Sequence, residues 1–177
     1  MPHLRPTLLS VLAVVALGGA LTACGGPDEM KLGEEADISF YPTDGGTTAE
    51  GKGTVTITDV REGSADEMKA GGFDLDPDQE SAAIYYVDVT FANTGDSEVT
   101  LRSPDGEDSD ENLISALAVI DLGGPAYEPC PGVPEKLAAG ESVDGCAIVL
   151  VPAGSDLARI SYFPGGTDDF LYWETGL

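Results

Sequence analysis

Histidine is almost missing from this chain: there is one, His3, among 177 residues. If the N-terminal segment is removed, as its layout implies below, the mature protein has none. Ser-His-Asp and Cys-His catalysis are then excluded, as are the usual zinc, copper and haem ligands. Basic side chains are nearly as scarce, with 8 Lys and Arg against 32 Asp and Glu. Arg5 is the only charged residue among residues 1–23, so the remainder carries 7 basic against 32 acidic groups, a net of −25. Such a surface repels phosphate backbones and offers no patch for anionic lipid headgroups, which excludes nucleic acid as a partner. It suits solubility or high salt, and it leaves room for a cationic partner. No G-x-S-x-G, Walker A or G-x-G-x-x-G sequence is present. A pair of carboxylates could still hydrolyse a glycoside, but no pair stands out among the acids.

What is present describes one exported domain with appended sequence. A hydrophobic content of 42% is ordinary for a globular chain, so the charge belongs on loops and exposed faces. The length supports a single sandwich or barrel and leaves little room for a second domain.

The first 24 residues, MPHLRPTLLSVLAVVALGGALTAC, run from a short polar start with Arg5 through an apolar stretch, Leu8 to Ala20, to small residues. This is the layout of a secretory signal peptide. Thirteen apolar or small residues fall short of the roughly 20 that a membrane-spanning helix needs. The tetrapeptide Leu21-Thr22-Ala23-Cys24 resembles a bacterial lipobox. That resemblance implies cleavage between Ala23 and Cys24, a diacylglycerol thioether on Cys24, and membrane anchoring on the extracytoplasmic face through the lipid. Residues 24–35, small, polar and charged, read as a flexible tether. Residues 36–177 form the domain.

Within that domain the apolar residues alternate with a period of two, and no amphipathic helix exceeds two turns. Val55 and Ile57 share a face opposite Thr54, Thr56 and Thr58. In AIYYVDVTFANTG, Tyr85, Val87, Val89 and Phe91 point one way, Tyr86, Asp88 and Thr90 the other. SEVTLR reads as a short partner strand after the turn at Asn93. LISALAVIDL, VDGCAIVLVP, LARISYFP and DFLYWE follow as further strands, with a turn around Gly140. Short strands at this spacing predict an all-β, antiparallel sandwich. The run of YYVDVTFANTG, LAVIDLGGPAYE, LAAGESVDGCAIVLVP and ARISYFP resembles the immunoglobulin-like, telokin-like domain of secreted bacterial lipoproteins and mycobacterial secreted antigens. The resemblance implies fold and location; it carries no active site to transfer.

With Cys24 assigned to lipid, Cys130 and Cys146 form an even pair in a compartment that permits disulfides, and a structural bridge between them is expected. A redox role lacks both a C-x-x-C arrangement and a βαβ pattern. The remaining candidate is a cation site. Asp74, Asp76 and Asp78, followed by Glu80, lie in one long loop; Asp105, Glu107, Asp108, Asp110 and Glu111 lie in SPDGEDSDEN, read as a second. If each strand crosses the sandwich once, both acidic loops share one end, where calcium, which tolerates irregular oxygen ligation, would be the fitting ion. The EF-hand pattern itself fails, with Gln79 in place of the turn glycine and Tyr85 in place of the bidentate glutamate. Solvated acidic loops without an ion are the plainer alternative. Trp173 is expected to pack a final strand on the core rather than serve as a ligand platform. The sequence thus points to a lipid-anchored, non-catalytic binding module for an unknown extracellular protein or small ligand, with no cofactor. A calcium-dependent domain and a small carboxylate hydrolase are the alternatives.

Overall fold

The computed structural model describes residues 29–40, 51–118, 126–164 and 170–177. They form an all-β, antiparallel-rich sandwich of the immunoglobulin-like kind. One sheet has the order β1 (Glu29–Lys31), β11 (Leu171–Glu174), β10 (Leu157–Tyr162), β6 (Asp105–Asp108) and β7 (Leu113–Ile114). The other has the order β2 (Glu35–Phe40), β3 (Gly51–Glu62), β4 (Ala83–Asn93) and β9 (Ser142–Val151), and the short pair β5 (Val99–Thr100) and β8 (Lys136–Leu137) stands apart.

The alternation read from the sequence positions the core. Val55, Ile57, Val87, Val89, Phe91, Ala147, Val149 and Val151 face the five-stranded sheet, where Leu157, Ile160, Tyr162 and Trp173 meet them. Trp173 is fully buried and donates its indole N–H to the Glu34 carbonyl at 3.0 Å, so it packs the last strand as expected. In β3 the alternation breaks at Thr58 because a bulge between Ile57 and Asp59 puts Val60 back on the buried face. Gly106 lets β6 lie close to the other sheet, since a Cβ there would stand 2.7 Å from the Val149 side chain.

Four expectations change. The residues 29–31 of the stretch read as a tether form β1, parallel to β11, so the described part of that stretch is strand and turn. SEVTLR does not fold back on β4; Val99–Thr100 pairs instead with Lys136–Leu137. Asp105–Asp108, read as loop, is a strand hydrogen-bonded to β10 and β7. Of LISALAVIDL only Leu113–Ile114 is strand among the described residues, and residues 119–125 lie outside them.

A further difference has the largest consequence: the outer face of β4 is not simply polar. Ile84 and Tyr86 are buried there with Ile148, Met68, Leu75 and the two cysteines in a second, smaller core. The short helix α1 (Ala65–Ala70), Leu75 and the segment 126–130 cover it, while a second short helix, α2 (Pro77–Ser81), buries no residue and is tied to α1 by the Lys69–Glu80 ion pair. Ser64 caps α1, which buries Met68, and Asp76 with Gln79 forms a capping box on α2; helices of six and five residues depend on such caps and contacts.

The strand directions define two ends. At one, β4 and β10 finish and Phe91 and Tyr162 meet with ring centroids 5.6 Å apart. At the other lie both helices, the turn 152–156 between β9 and β10, and the turn 109–112 between β6 and β7.

Candidate binding surface

The outer face of the four-stranded sheet is half covered. Its helix-side half carries the second core, while toward β3's start the threonines Thr54, Thr56 and Thr90 stand uncovered and only partly buried. Along the boundary the chain from Tyr127 to Val133 forms a wall. The Cys130–Cys146 disulfide, expected from the sequence, ties it to β9. The Cys146 N–H donates to the Gly132 carbonyl at 3.0 Å, and a Cβ on Gly145 would press against Val133 at 3.2 Å, so glycine permits the wall to lie this close.

Arg61 supplies the third tie. It donates to both oxygens of Asp88, at 2.7 and 3.0 Å, and to the Pro129 carbonyl at 3.0 Å, with its guanidinium 5.4 Å from the Tyr86 ring centroid. The hydrogen bond to Asp88 raises the Arg61 pKa further. Tyr86 closes the group: its hydroxyl lies 2.6 Å from that of Tyr127 and donates to Glu67 at 3.0 Å. Burial first, then those two neighbours, pushes its pKa well up, so it stays a neutral donor.

On each side of this wall is a hollow. One, of about 470 Å³, is lined by Thr58, Asp88, Thr90, Pro131 and Asp144; the other, of about 820 Å³, reaches toward Asp105, Leu117 and Glu135. They share Pro131, Asp144 and Cys146. Thr90 donates to Asp144 at 2.7 Å, and Asp88 is held by Arg61. The carboxylates of the smaller hollow are therefore engaged as acceptors, Asp88 by Arg61 and Asp144 by Thr90.

The other acidic residues are placed as follows. Asp74, Asp76 and Asp78 are exposed in the helical segment, and Asp76 Oδ1 accepts the N–H groups of Asp78 and Gln79. Glu80 pairs with Lys69 at 2.8 Å. Asp105 accepts from the Ala116 N–H at 2.8 Å. Glu107 is buried and paired with Arg159, which also binds Glu29 at 2.8 Å and lies 4.4 Å over Tyr172. Asp110 and Glu111 are exposed in the turn beyond Asp108. The helical segment and this turn do share one end of the sandwich. Among the described residues, though, no three His, Cys, Asp or Glu side chains come together in a group that could hold a metal ion. Cys24 lies outside the described residues.

Asp108 is buried and accepts from the Asp110 and Asn112 N–H groups and from the Asn112 amide. The Asn112 side chain and then its backbone N–H hold the Asp108 pKa below the usual carboxylate value. A depressed folded-state pKa stabilises above the unfolded value near ~3.9 and is lost as pH falls through the folded one. The melting-temperature gap between the wild type and Asp108→Asn should therefore close as melts are taken from neutral to strongly acidic pH. A gap independent of pH would contradict this.

Arg61, Tyr127 and Arg159 carry these networks and were not singled out by sequence reasoning. The available signal was Ile84 and Tyr86, two large side chains on the same face as Asp88 and Thr90, opposite Val87 and Val89.

No protein-family model matches the chain, and no curated protein does. Among solved structures, the fold is similar to that of MPT63, a secreted protein of Mycobacterium tuberculosis, with 17% identity and a TM-score of 0.55 over 84% of this chain and 98% of that one. The YjhA protein of Bacillus subtilis follows at 14% identity and 0.46, over 82% and 98%. YcdA of Bacillus subtilis, described as a candidate lipoprotein, stands at 16% and 0.49, with 81% of this chain matching 39% of that one. At these identities the likeness is one of fold. Among the described residues, no helix is long and apolar enough to cross a membrane.

Proposed function

We propose that the chain is a membrane-anchored extracytoplasmic lipoprotein: residues 1–23 a signal peptide, Cys24 the lipidated residue, and the sandwich a non-catalytic binding module for an extracellular protein or small ligand. The cysteine count carries this reading. Cys130 and Cys146 are bonded to each other, which fits an oxidising compartment and leaves Cys24 alone in its lipobox. The disulfide-walled surface, with hydroxyl and carboxylate acceptors around two adjoining hollows, is where a ligand rich in hydrogen-bond donors would sit.

Crosslinking on intact cells tests the binding role. Thr90→Arg fills the smaller hollow from a partly buried position on the uncovered face of β4 and should abolish the captured species while the membrane fraction stays the same and the domain remains folded by its melting transition. An unchanged crosslinking pattern would move the site elsewhere.

The calcium alternative has the common end of the two acidic segments in its favour. Against it, Asp76 and Asp108 already spend oxygens on backbone N–H groups. The expected result is the same melting temperature in calcium as in chelator; an ion that binds only the folded state would raise it, and that rise would reinstate the calcium site. The hydrolase alternative would need two free facing carboxylates, whereas Asp88 and Glu107 are paired with arginines and Asp144 with Thr90.

A further inference from the structure

Phe163, Phe170 and Tyr172 form a continuous row on the outer face of the five-stranded sheet. Ring centroids are 5.0 Å apart for the first pair and 6.2 Å for the second, with the second pair stacked at 23°. Phe170 is 38% exposed, one of three large apolar side chains that stand out among the described residues. The position of this row relative to the N-terminus is fixed by β1. Glu29 is in register with Tyr172, and the two strands are parallel. Phe170, two residues upstream of Tyr172, therefore lies on the side from which the chain arrives. Glu29 is also held by Arg159, and the following turn is closed by the Glu34 N–H donating to the Lys31 carbonyl and by Trp173 on Glu34, so the direction of entry is locked to the fold.

Five residue steps separate Cys24 from Glu29, a span of about 17 Å at full extension. We propose that the aromatic row rests in the interfacial region of the bilayer that holds the anchor, orienting the sandwich rather than leaving it to swing. The inference rests on lipidation at Cys24. Aromatic rings favour the membrane–water interface, and two acyl chains keep the row beside it. The helical segment with Asp74, Asp76 and Asp78 lies at the opposite end, whereas Glu29 is in register with Tyr172 and Asp168 and Asp169 precede Phe170 in the sequence, so the contact suits zwitterionic rather than anionic headgroups. Because rings rather than basic groups make the contact, it should be insensitive to salt.

The test uses the full lipidated chain in phosphatidylcholine vesicles, with and without bromine on the acyl chains. Wild-type emission comes from the buried Trp173 alone and sets the baseline. Phe170→Trp should lose emission in the brominated vesicles beyond that baseline, with no change at high salt. Leu177→Trp, an exposed reporter whose backbone is tied through Thr175 to the start of β10 at the far end, should not. If Phe170→Trp emits equally in both vesicle types while the protein floats with them, the aromatic contact is refuted and the anchor stands. If the wild-type chain does not float with the vesicles, the anchor reading fails and this inference with it.

Discussion

A Cys24→Ala chain is expected to lose its lipid completely and, once freed of residues 1–23, to leave the detergent phase in which the wild-type protein partitions. The peptide that begins at Cys24 should carry a diacylglycerol mass in the wild type and disappear in the variant. The size of the effect follows from acyl-chain physics. Each buried methylene contributes about 0.8 kcal/mol, one chain gives only marginal binding, and two give a stable anchor. Nothing else described in the chain replaces that contribution, because the surface is strongly acidic and the aromatic row is too small to hold the domain alone. Continued cleavage after Ala23 together with retention of the Cys24→Ala protein in the detergent phase would refute lipidation; an uncleaved chain held by its apolar segment Leu8–Ala20 would not.

Removing the disulfide should be the largest single loss of stability. Cys130→Ala or Cys146→Ala opens a closure between positions separated by 16 residues, worth about 3 kcal/mol in the chain-entropy account. For a domain of this size that corresponds to a fall of roughly 6–12 °C in melting temperature. The damage should be local. Both cysteines belong to the second core with Met68, Leu75, Tyr86 and Ile148, and the wall from Tyr127 to Val133 would keep only its hydrogen bonds and its tie to Arg61. Amide exchange should therefore rise in α1 and around Cys130 while the centre of β3 and β4 stays protected. Uniform loss of protection, or an unchanged melting temperature, would show that the bond is not what holds the wall.

The sequence shows where the inter-sheet core lies because period-two alternation is local: Val87, Val89 and Phe91 declare a buried face whatever lies opposite. It does not show what covers the reverse face. Tyr86 and Ile84 look like tolerated surface residues until the helical segment and the wall are folded over them. Charged residues misled in the same way. Glu107 and Asp108 sit in a stretch dense with carboxylates and glycine, which reads as loop, yet they are strand. Arg159 neutralises the one and Asn112 satisfies the other. Those partners are 52 and 4 residues away. The distant one is invisible to any local pattern, and the near one works only after the turn closes. The pairing of β5 with β8 rather than β4 is another long-range choice, made when the Asn93 side chain reaches the carbonyls of Leu137 and Ala138.

The sequence by itself determined the all-β class and the disulfide pair and carried the expectations of an extracytoplasmic compartment and an anchor at Cys24, because each rests on composition or on spacing along the chain. Tertiary structure alone decided that the disulfide builds a wall between two hollows, that the acidic segments gather at one end without forming a metal cluster among the described residues, and that the aromatic row lies on the side from which β1 is entered. Those are relations between surfaces, and surfaces exist only after the strands have taken their register.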